Sequence, residues 1–257
     1  MVLLHGQPGS GADWKQVQAG LPHGLSVLAP DRPGYGASTR PAGGFAAGAR
    51  ALLADMDARG IDQAVLVGHS YGGGVALATV RLAPERVAGL VLLASVGPDC
   101  LTGADWPLAA PVIGEFFALM AWRLTPWLAR AGLSALTRLR RRPLAADEFV
   151  NLQIWGYAHH DHGEVWRSFL TEQRALMREL DELAAFLPEV TQPVLLMADA
   201  HDMIIPVRAT QRLAAALPEA RVELLNGPGH HLPRRAAPRI ADAIAAFLAT
   251  LDDQAAA

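Results

Sequence analysis

The sequence predicts an α/β fold, a mostly parallel, doubly wound sheet interrupted by an all-helical insertion. Three observations carry this expectation. Short runs rich in Val and Leu alternate with longer helical patterns. The short runs lack the apolar/polar alternation of a sheet wetted on one face, so they read as strands buried on both faces. One long central block, from Pro98 to about Leu187, contains no convincing strand.

Taken in order, the strand candidates are Val2-Leu3-Leu4, Leu25 to Ala29, Ala64 to Val67, Val87 to Ala94, Val194 to Met197 and Val222 to Leu225. The helical candidates between them are Ala46 to Arg59, Gly73 to Leu82, Val207 to Leu217 and Arg239 to Leu251. Strand following helix following strand implies parallel pairing with helices on both faces. Ligands in such a sheet gather at the carboxyl ends of the strands.

The central block carries Phe116, Phe117, Met120, Trp122, Trp127, Phe149, Ile154, Trp155, Trp166 and Phe169 at helical spacing. It reads as a helical lid of residues 98–187 inserted into a core of residues 1–97 and 188–257. Arg138, Arg140, Arg141 and Arg142 read as solvated lid surface rather than an anion site. The Ala-rich end, Gln254 to Ala257, reads as a frayed tail.

Composition narrows the function classes. The chain has 257 residues, of which 51% are hydrophobic and 18% charged, so a sizeable core is available. A net charge of −3 gives no sign of the basic face that nucleic-acid binding requires. No apolar run approaches the roughly 20 residues that cross a bilayer. The start, Met1 to Gly6, lacks the basic and long apolar regions of a secretion signal. Cys100 is the one cysteine, which excludes an intrachain disulfide and fits a reducing compartment. The expectation is a cytoplasmic protein acting on a small molecule, with no nucleic-acid or membrane partner.

The chemistry centres on Gly68-His69-Ser70-Tyr71-Gly72. Ser70 follows a strand and precedes a helix, and glycines two residues before and after it permit a sharp strained turn. That turn lifts the hydroxyl above the sheet edge and puts backbone N–H groups where negative charge would develop. A serine nucleophile needs a base, and the base needs a group to orient it. His230, in Gly227-Pro228-Gly229-His230, follows the last strand. Asp202, in Asp199-Ala200-His201-Asp202-Met203-Ile204-Ile205-Pro206, follows the strand before it. Both sit at strand carboxyl ends, as Ser70 does.

These motifs together resemble the α/β-hydrolase superfamily, in its serine-nucleophile branch with a helical lid. Five segments match in order: His5-Gly6-Gln7-Pro8-Gly9 as the oxyanion loop, Asp31 to Ser38 as the D-x-x-G-x-G-x-S turn, Gly68 to Gly72 as the nucleophile elbow, Asp202 to Pro206 as the acid loop, and Gly229-His230 as the base. The resemblance implies that Ser70 attacks an acyl carbon, His230 relays its proton, Asp202 holds the imidazole, and the backbone N–H groups of Gln7 and Tyr71 form the oxyanion hole. It implies hydrolysis of a carboxylic ester or related acyl compound without a cofactor. Lactonase, C–C bond hydrolase, aminopeptidase and cofactor-free haloperoxidase or perhydrolase branches share the same triad. A ligand-binding receptor that keeps the pocket is the reading from a different class. Serine rather than aspartate at position 70 argues against the haloalkane dehalogenase and epoxide hydrolase branches.

Three departures accompany the resemblance. The family places two strands ahead of the oxyanion-loop strand, whereas here Met1 stands almost on it, so the expectation is that those strands are missing, through either a misplaced start or a sheet that lacks its outer hairpin. Asp199 occupies a position where a glycine is usual and is a rival acid, with Asp99 a weaker one. His231 directly follows His230 and is a rival base. His5 and His69 read as loop-holding residues, and Asp31 to Ser38 as a structural turn. His159, His160 and His162 beside Asp161 lack the spacing that puts three ligands on one helical face, so no metal is expected. The aromatic lid points to an apolar or aromatic acyl substrate.

Overall fold

The computed structural model of the chain describes residues 1–120, 124 and 165–256, without the side chains of 252–256. Five strands form one sheet in sequence order: β1 (Val2–Leu4), β2 (Ala64–His69), β3 (Val87–Leu93), β4 (Val194–Asp199) and β5 (Ala220–Leu225). Every neighbouring pair is parallel. Val2 stands beside Leu66, Leu66 beside Leu90, Leu90 beside Val194, and Val194 beside Ala220.

The strands read as unbroken apolar runs because both faces are covered. Successive residues point to opposite faces. Leu3, Val67, Leu93 and Met197 pack with Trp14, Val17, Ile240, Ile244 and Phe247 on the side of α1 (Lys15–Gly20) and of the C-terminal helix. Val2, Leu4, Leu66, Leu92 and Leu196 pack on the other side. There they meet Phe45 and Leu52 of α2 (Phe45–Asp57) and Val75 of α3 (Tyr71–Leu82).

Leu25 to Ala29 does not form the expected strand. Only Leu28 bridges, in parallel with Val2, through Leu3 N–H to Leu28 O at 2.8 Å and Leu28 N–H to Met1 O at 3.0 Å. The segment lies outside β1 at the sheet edge, and Leu25 is exposed. With a partner on one side only, its apolar residues gain little from extending the ladder. The chain thus leaves β1 toward one edge and returns through α2 to β2 on the other side. The reversal between β1 and β2 opens a crevice at their carboxyl ends.

Among the described residues of the central block there is no strand. The block holds α4 (Asp105–Ala109), a helical stretch at 113–120, and α5 (Val165–Phe186). Leu176, Leu180 and Leu183 of α5 belong to the core cluster on the α2–α3 face. α6 (Val207–Ala216), α7 (Leu232–Arg235) and α8 (Ala237–Ala256) complete the fold. No described helix is long and apolar enough to cross a membrane.

Candidate active site

β2 ends at His69 and α3 begins at Tyr71, so the whole turn between them is Ser70. Its backbone has φ 53° and ψ −120°, a conformation that costs a side-chain-bearing residue about 1–3 kcal/mol. The surroundings hold it there. Ser70 N–H donates to Leu93 O at 2.9 Å, and Ser70 O accepts from Gly73 N–H at 3.0 Å and Val96 N–H at 3.2 Å. The flanking glycines are needed for space. A Cβ at Gly68 would lie 2.6 Å from Gly73 Cα and 2.7 Å from Gly72 O, and one at Gly72 would lie 2.6 Å from His5 O. Tyr71 N–H is among the first donors of α3, which have no helical carbonyl to bond.

The loops after β4 and β5 bring Asp202 and His230 together. Asp202 Oδ1 accepts from Ile204 N–H at 2.7 Å and Ile205 N–H at 3.0 Å. Those two bonds fix the carboxylate so that its Oδ2 lies 2.8 Å from His230 Nδ1. Burial raises the carboxyl's pKa, but the hydrogen bond and charge of His230 and the two N–H groups outweigh it, and Asp202 titrates below its ordinary value. A carboxylate only accepts, so Nδ1 is the donor in this bond, and Nε2 is the ring nitrogen that Asp202 leaves unengaged. The Ser70 hydroxyl makes no hydrogen bond within 3.5 Å among the described residues, and it shares a cavity with His230.

The rivals are engaged elsewhere. Asp199 is fully buried and accepts from His201 N–H at 2.7 Å and Gly229 N–H at 3.0 Å, so it shapes the histidine loop without touching the ring. Asp99 is exposed and pairs with Arg212 at 2.8 Å. His231 packs its ring 5.4 Å from that of His230, and burial and the charge of His230 hold its pKa at about 3. His69 Nε2 donates to His230 O at 2.9 Å, anchoring the His230 backbone, and burial likewise holds its pKa at about 3. His5 donates from Nδ1 to Gly6 O at 2.8 Å, while its Nε2 accepts Arg32 N–H at 2.9 Å. Asp31 ties Gly11 N–H and Ala37 N–H to its two oxygens, both at 2.7 Å, which makes the Asp31 to Ser38 turn rigid.

The cavity over Ser70 has a volume of about 280 Å³. Ser70, His230, Gly6 and Gln7 form its floor, and Cys100, Leu108, Phe169, Leu176, Met203 and Ile204 supply apolar walls. A polar chain crosses one side. Gln7 Nε2 donates to Gln173 Oε1 at 2.9 Å, and Gln173 Nε2 donates to Asp105 Oδ1 at 2.7 Å. Thr102 N–H and Oγ1 reach the other Asp105 oxygen at 2.6 and 2.8 Å. Of the expected lid aromatics, Phe169 lines the cavity and Trp166 does not. Trp122, Trp127, Phe149, Ile154, Trp155, the Arg138 to Arg142 run and the His159 to His162 cluster lie outside the described residues. Among the described residues no group of three His, Cys, Asp or Glu side chains is placed to hold a metal ion.

Sequence reasoning did not single out Arg32, Glu172, Gln173 or Asp105. Arg32 and Glu172 form an ion pair in which each side chain is no more than 3% exposed. Tyr35 OH donates to Glu172 Oε2 at 2.6 Å, and the Arg32 guanidinium lies 5.0 Å from the ring centres of both Tyr35 and Tyr71. Burial alone would raise the Glu172 carboxyl, and it wins in part over Arg32, leaving Glu172 above its ordinary value. For Arg32 burial is outweighed by Glu172, and the guanidinium is raised. Removing one partner of such a pair costs about 3–5 kcal/mol. The available signal was Glu172 itself, a charge in the same four-residue register as Leu176 and Leu180.

Comparison with known proteins follows the same lines. The sequence model of a protein family described as the alpha/beta hydrolase fold matches residues 1–233. A 2-hydroxymuconate semialdehyde hydrolase of Pseudomonas putida is 32% identical over 232 residues, covering 88% of this chain and 78% of that protein. A pimeloyl-[acyl-carrier protein] methyl ester esterase of Aromatoleum aromaticum is 33% identical over 241 residues, 90% of each chain. Among solved structures, a thermophilic esterase from Thermogutta terrifontis superposes with a TM-score of 0.73 at 22% identity, covering 97% of this chain and 89% of that one.

Proposed function

The chain belongs to the alpha/beta hydrolase family, and we propose that it is a serine hydrolase cleaving a carboxylic ester or related acyl compound through an acyl-Ser70 intermediate. One observation carries this: His230, bonded to Asp202 at 2.8 Å, opens into the same cavity as Ser70 on its strained turn. In this reading Ser70 Oγ attacks the acyl carbon as His230 Nε2 takes its proton. His230 then returns that proton to the leaving group, and water repeats the sequence in reverse roles to free the acid. Asp202 holds the ring and stabilises its cation. The N–H groups of Gln7 and Tyr71 receive the oxyanion, where loss of one donor typically costs about 3 kcal/mol in the barrier.

In this reading residues 98–187 are a lid inserted into a core of residues 1–97 and 188–257, and the described part of that insertion, α4 and α5, lines the cavity through Leu108, Phe169 and Leu176. The apolar walls supplied by Leu108, Phe169, Leu176 and Ile204 favour an apolar or aromatic acyl group. A second reading, cleavage of a carbon–carbon bond next to a carbonyl, is favoured by the similarity to the semialdehyde hydrolase. It would use the same three side chains.

Ser70→Ala is the test. Loss of nearly all turnover of an aryl ester, and of covalent labelling by a fluorophosphonate, supports the assignment. A variant as fast as the parent overturns it. A panel of esters, lactones, thioesters and vinylogous diketones run with the same control separates the ester reading from the carbon–carbon one.

A further inference from the structure

We infer that Arg32, gripped by Glu172 of α5, is a positioning residue that aims the Gln7 N–H of the oxyanion hole. The inference rests on the proposed serine-hydrolase reading and adds to it a residue whose effect is on the transition state. Arg32 spends its fork on both sides. Nε donates to His5 O at 2.8 Å, and Nη2 donates to Gly6 O at 2.8 Å and to Glu172 Oε2 at 3.2 Å, while Nη1 bonds Glu172 Oε1. Gly6 O therefore receives two donors, Arg32 Nη2 and His5 Nδ1, each at 2.8 Å.

The Gly6–Gln7 peptide is trans, so its C=O and N–H point in opposite directions. Pinning Gly6 O toward Arg32 turns Gln7 N–H the other way. The peptide passes close over the nucleophile, since a Cβ at Gly6 would lie 3.1 Å from Ser70 Cβ. Gly6, Gln7 and Ser70 line the same cavity, and the inference assigns the Gln7 N–H, turned away from Arg32, to an oxyanion formed there on Ser70. α5 grips the loop at two consecutive residues: Glu172 holds Arg32, and Gln173 accepts from the Gln7 side chain at 2.9 Å. These bonds tie α5 to the oxyanion loop at two points, and donors that need no reorientation at the moment of reaction are worth the most.

The test uses Arg32→Lys, Glu172→Gln and Tyr35→Phe, each checked for a cooperative melt. The probes are steady-state hydrolysis of an aryl ester and inhibition by phenylboronic acid, whose serine adduct places an oxyanion in the hole. Lysine keeps the charge but loses the fork. Arg32→Lys should lower kcat by about 100-fold with KM within about twofold, and weaken phenylboronate by a similar factor. Glu172→Gln should do the same by about tenfold, and Tyr35→Phe by about threefold, since they loosen the fork without removing it. A merely structural role would lower the melting temperature without this parallel loss of kcat and boronate affinity. If the folded variants keep both within about twofold of the parent, the inference is wrong. Should Arg32→Lys not fold, Glu172→Gln and Tyr35→Phe decide by the same criterion. A parent without Ser70-dependent turnover overturns the serine-hydrolase reading and this inference with it. A parent with such turnover and indifferent variants overturns this inference alone.

Discussion

His230 Nδ1 lies 2.8 Å from Asp202 Oδ2, across a gap between two loops whose sequences are 28 residues apart. The carboxylate's other oxygen is occupied by two backbone N–H groups, which leaves it a single orientation toward the ring. Asp199, three residues earlier, is more deeply buried but faces His201 N–H and Gly229 N–H instead. The two aspartates therefore have separable expected effects.

Asp202→Asn is expected to lower kcat for an aryl ester by about 10³- to 10⁴-fold, because an amide can hold the imidazole in the wrong tautomer and cannot stabilise its cation. Asp199→Asn is expected to act first on stability, by about 1–3 kcal/mol, since one amide oxygen cannot accept both backbone donors as well as a carboxylate does. Steady-state kinetics and denaturant titration of both variants check this. Larger kinetic damage from Asp199→Asn than from Asp202→Asn would reverse the assignment.

Gly68→Ala is expected to destabilise the fold by about 1–3 kcal/mol or prevent folding, as overpacking of a tight site does. The added Cβ would meet backbone atoms of Gly72 and Gly73 at 2.7 Å or less, and backbone cannot swing aside as a flexible side-chain end can. Gly60→Ala is a useful contrast. Nothing lies within 4 Å of a Cβ there, so its cost comes from φ 63° alone. Melting temperatures of the two variants should differ, with Gly68→Ala the lower.

His69, buried, and His231, partly buried, both titrate at about 3 in the folded chain through desolvation and the charge of His230, against 6.5 for an ordinary histidine. The unfolded chain therefore binds two more protons than the native one in that interval. Stability is fully present above about pH 6.5 and falls as the pH drops toward about 3, with a slope of up to about 1.4 kcal/mol per pH unit per histidine. His231→Gln should flatten the profile of unfolding free energy against pH. A wild-type profile without slope in this window would show that the two rings are not held neutral.

Cys100 is buried at the cavity wall, and burial pushes its thiol pKa up to about 11. The thiolate is the reactive species, so a neutral disulfide reagent should modify the native protein slowly at pH 8 and rapidly once it is unfolded. A substrate analogue that fills the cavity should slow the native reaction further. Fast native labelling, unaffected by the analogue, would contradict the placement.

Much of the fold was legible in the sequence because it depends on local patterns. The apolar runs at Ala64 to Val67 and Val87 to Ala94 became β2 and β3, and the helical periods around them became helices within a few residues of the expected ends. Leu25 to Ala29 shows the limit of that reading. It has the composition of a strand, but whether a run pairs on two sides or one is a property of the sheet, and here the edge position left a single bridge at Leu28.

The same division holds at the site. The sequence by itself determined that Ser70 stands between a strand and a helix, with glycines where any side chain would strike backbone, since a strained turn needs residues that are neighbours in the chain. It also placed Asp202 and His230 at the ends of their strands. Only the tertiary structure decided which aspartate faces the imidazole, because the direction of a carboxylate is set by the donors around it and those come from across the fold. The same is true of the bond between Arg32 and Glu172, residues 140 positions apart. No local pattern encodes that distance. Burial made the pair necessary, since neither charge is stable alone in the interior, and in pairing they tied the helix of the insertion to the loop beside Ser70.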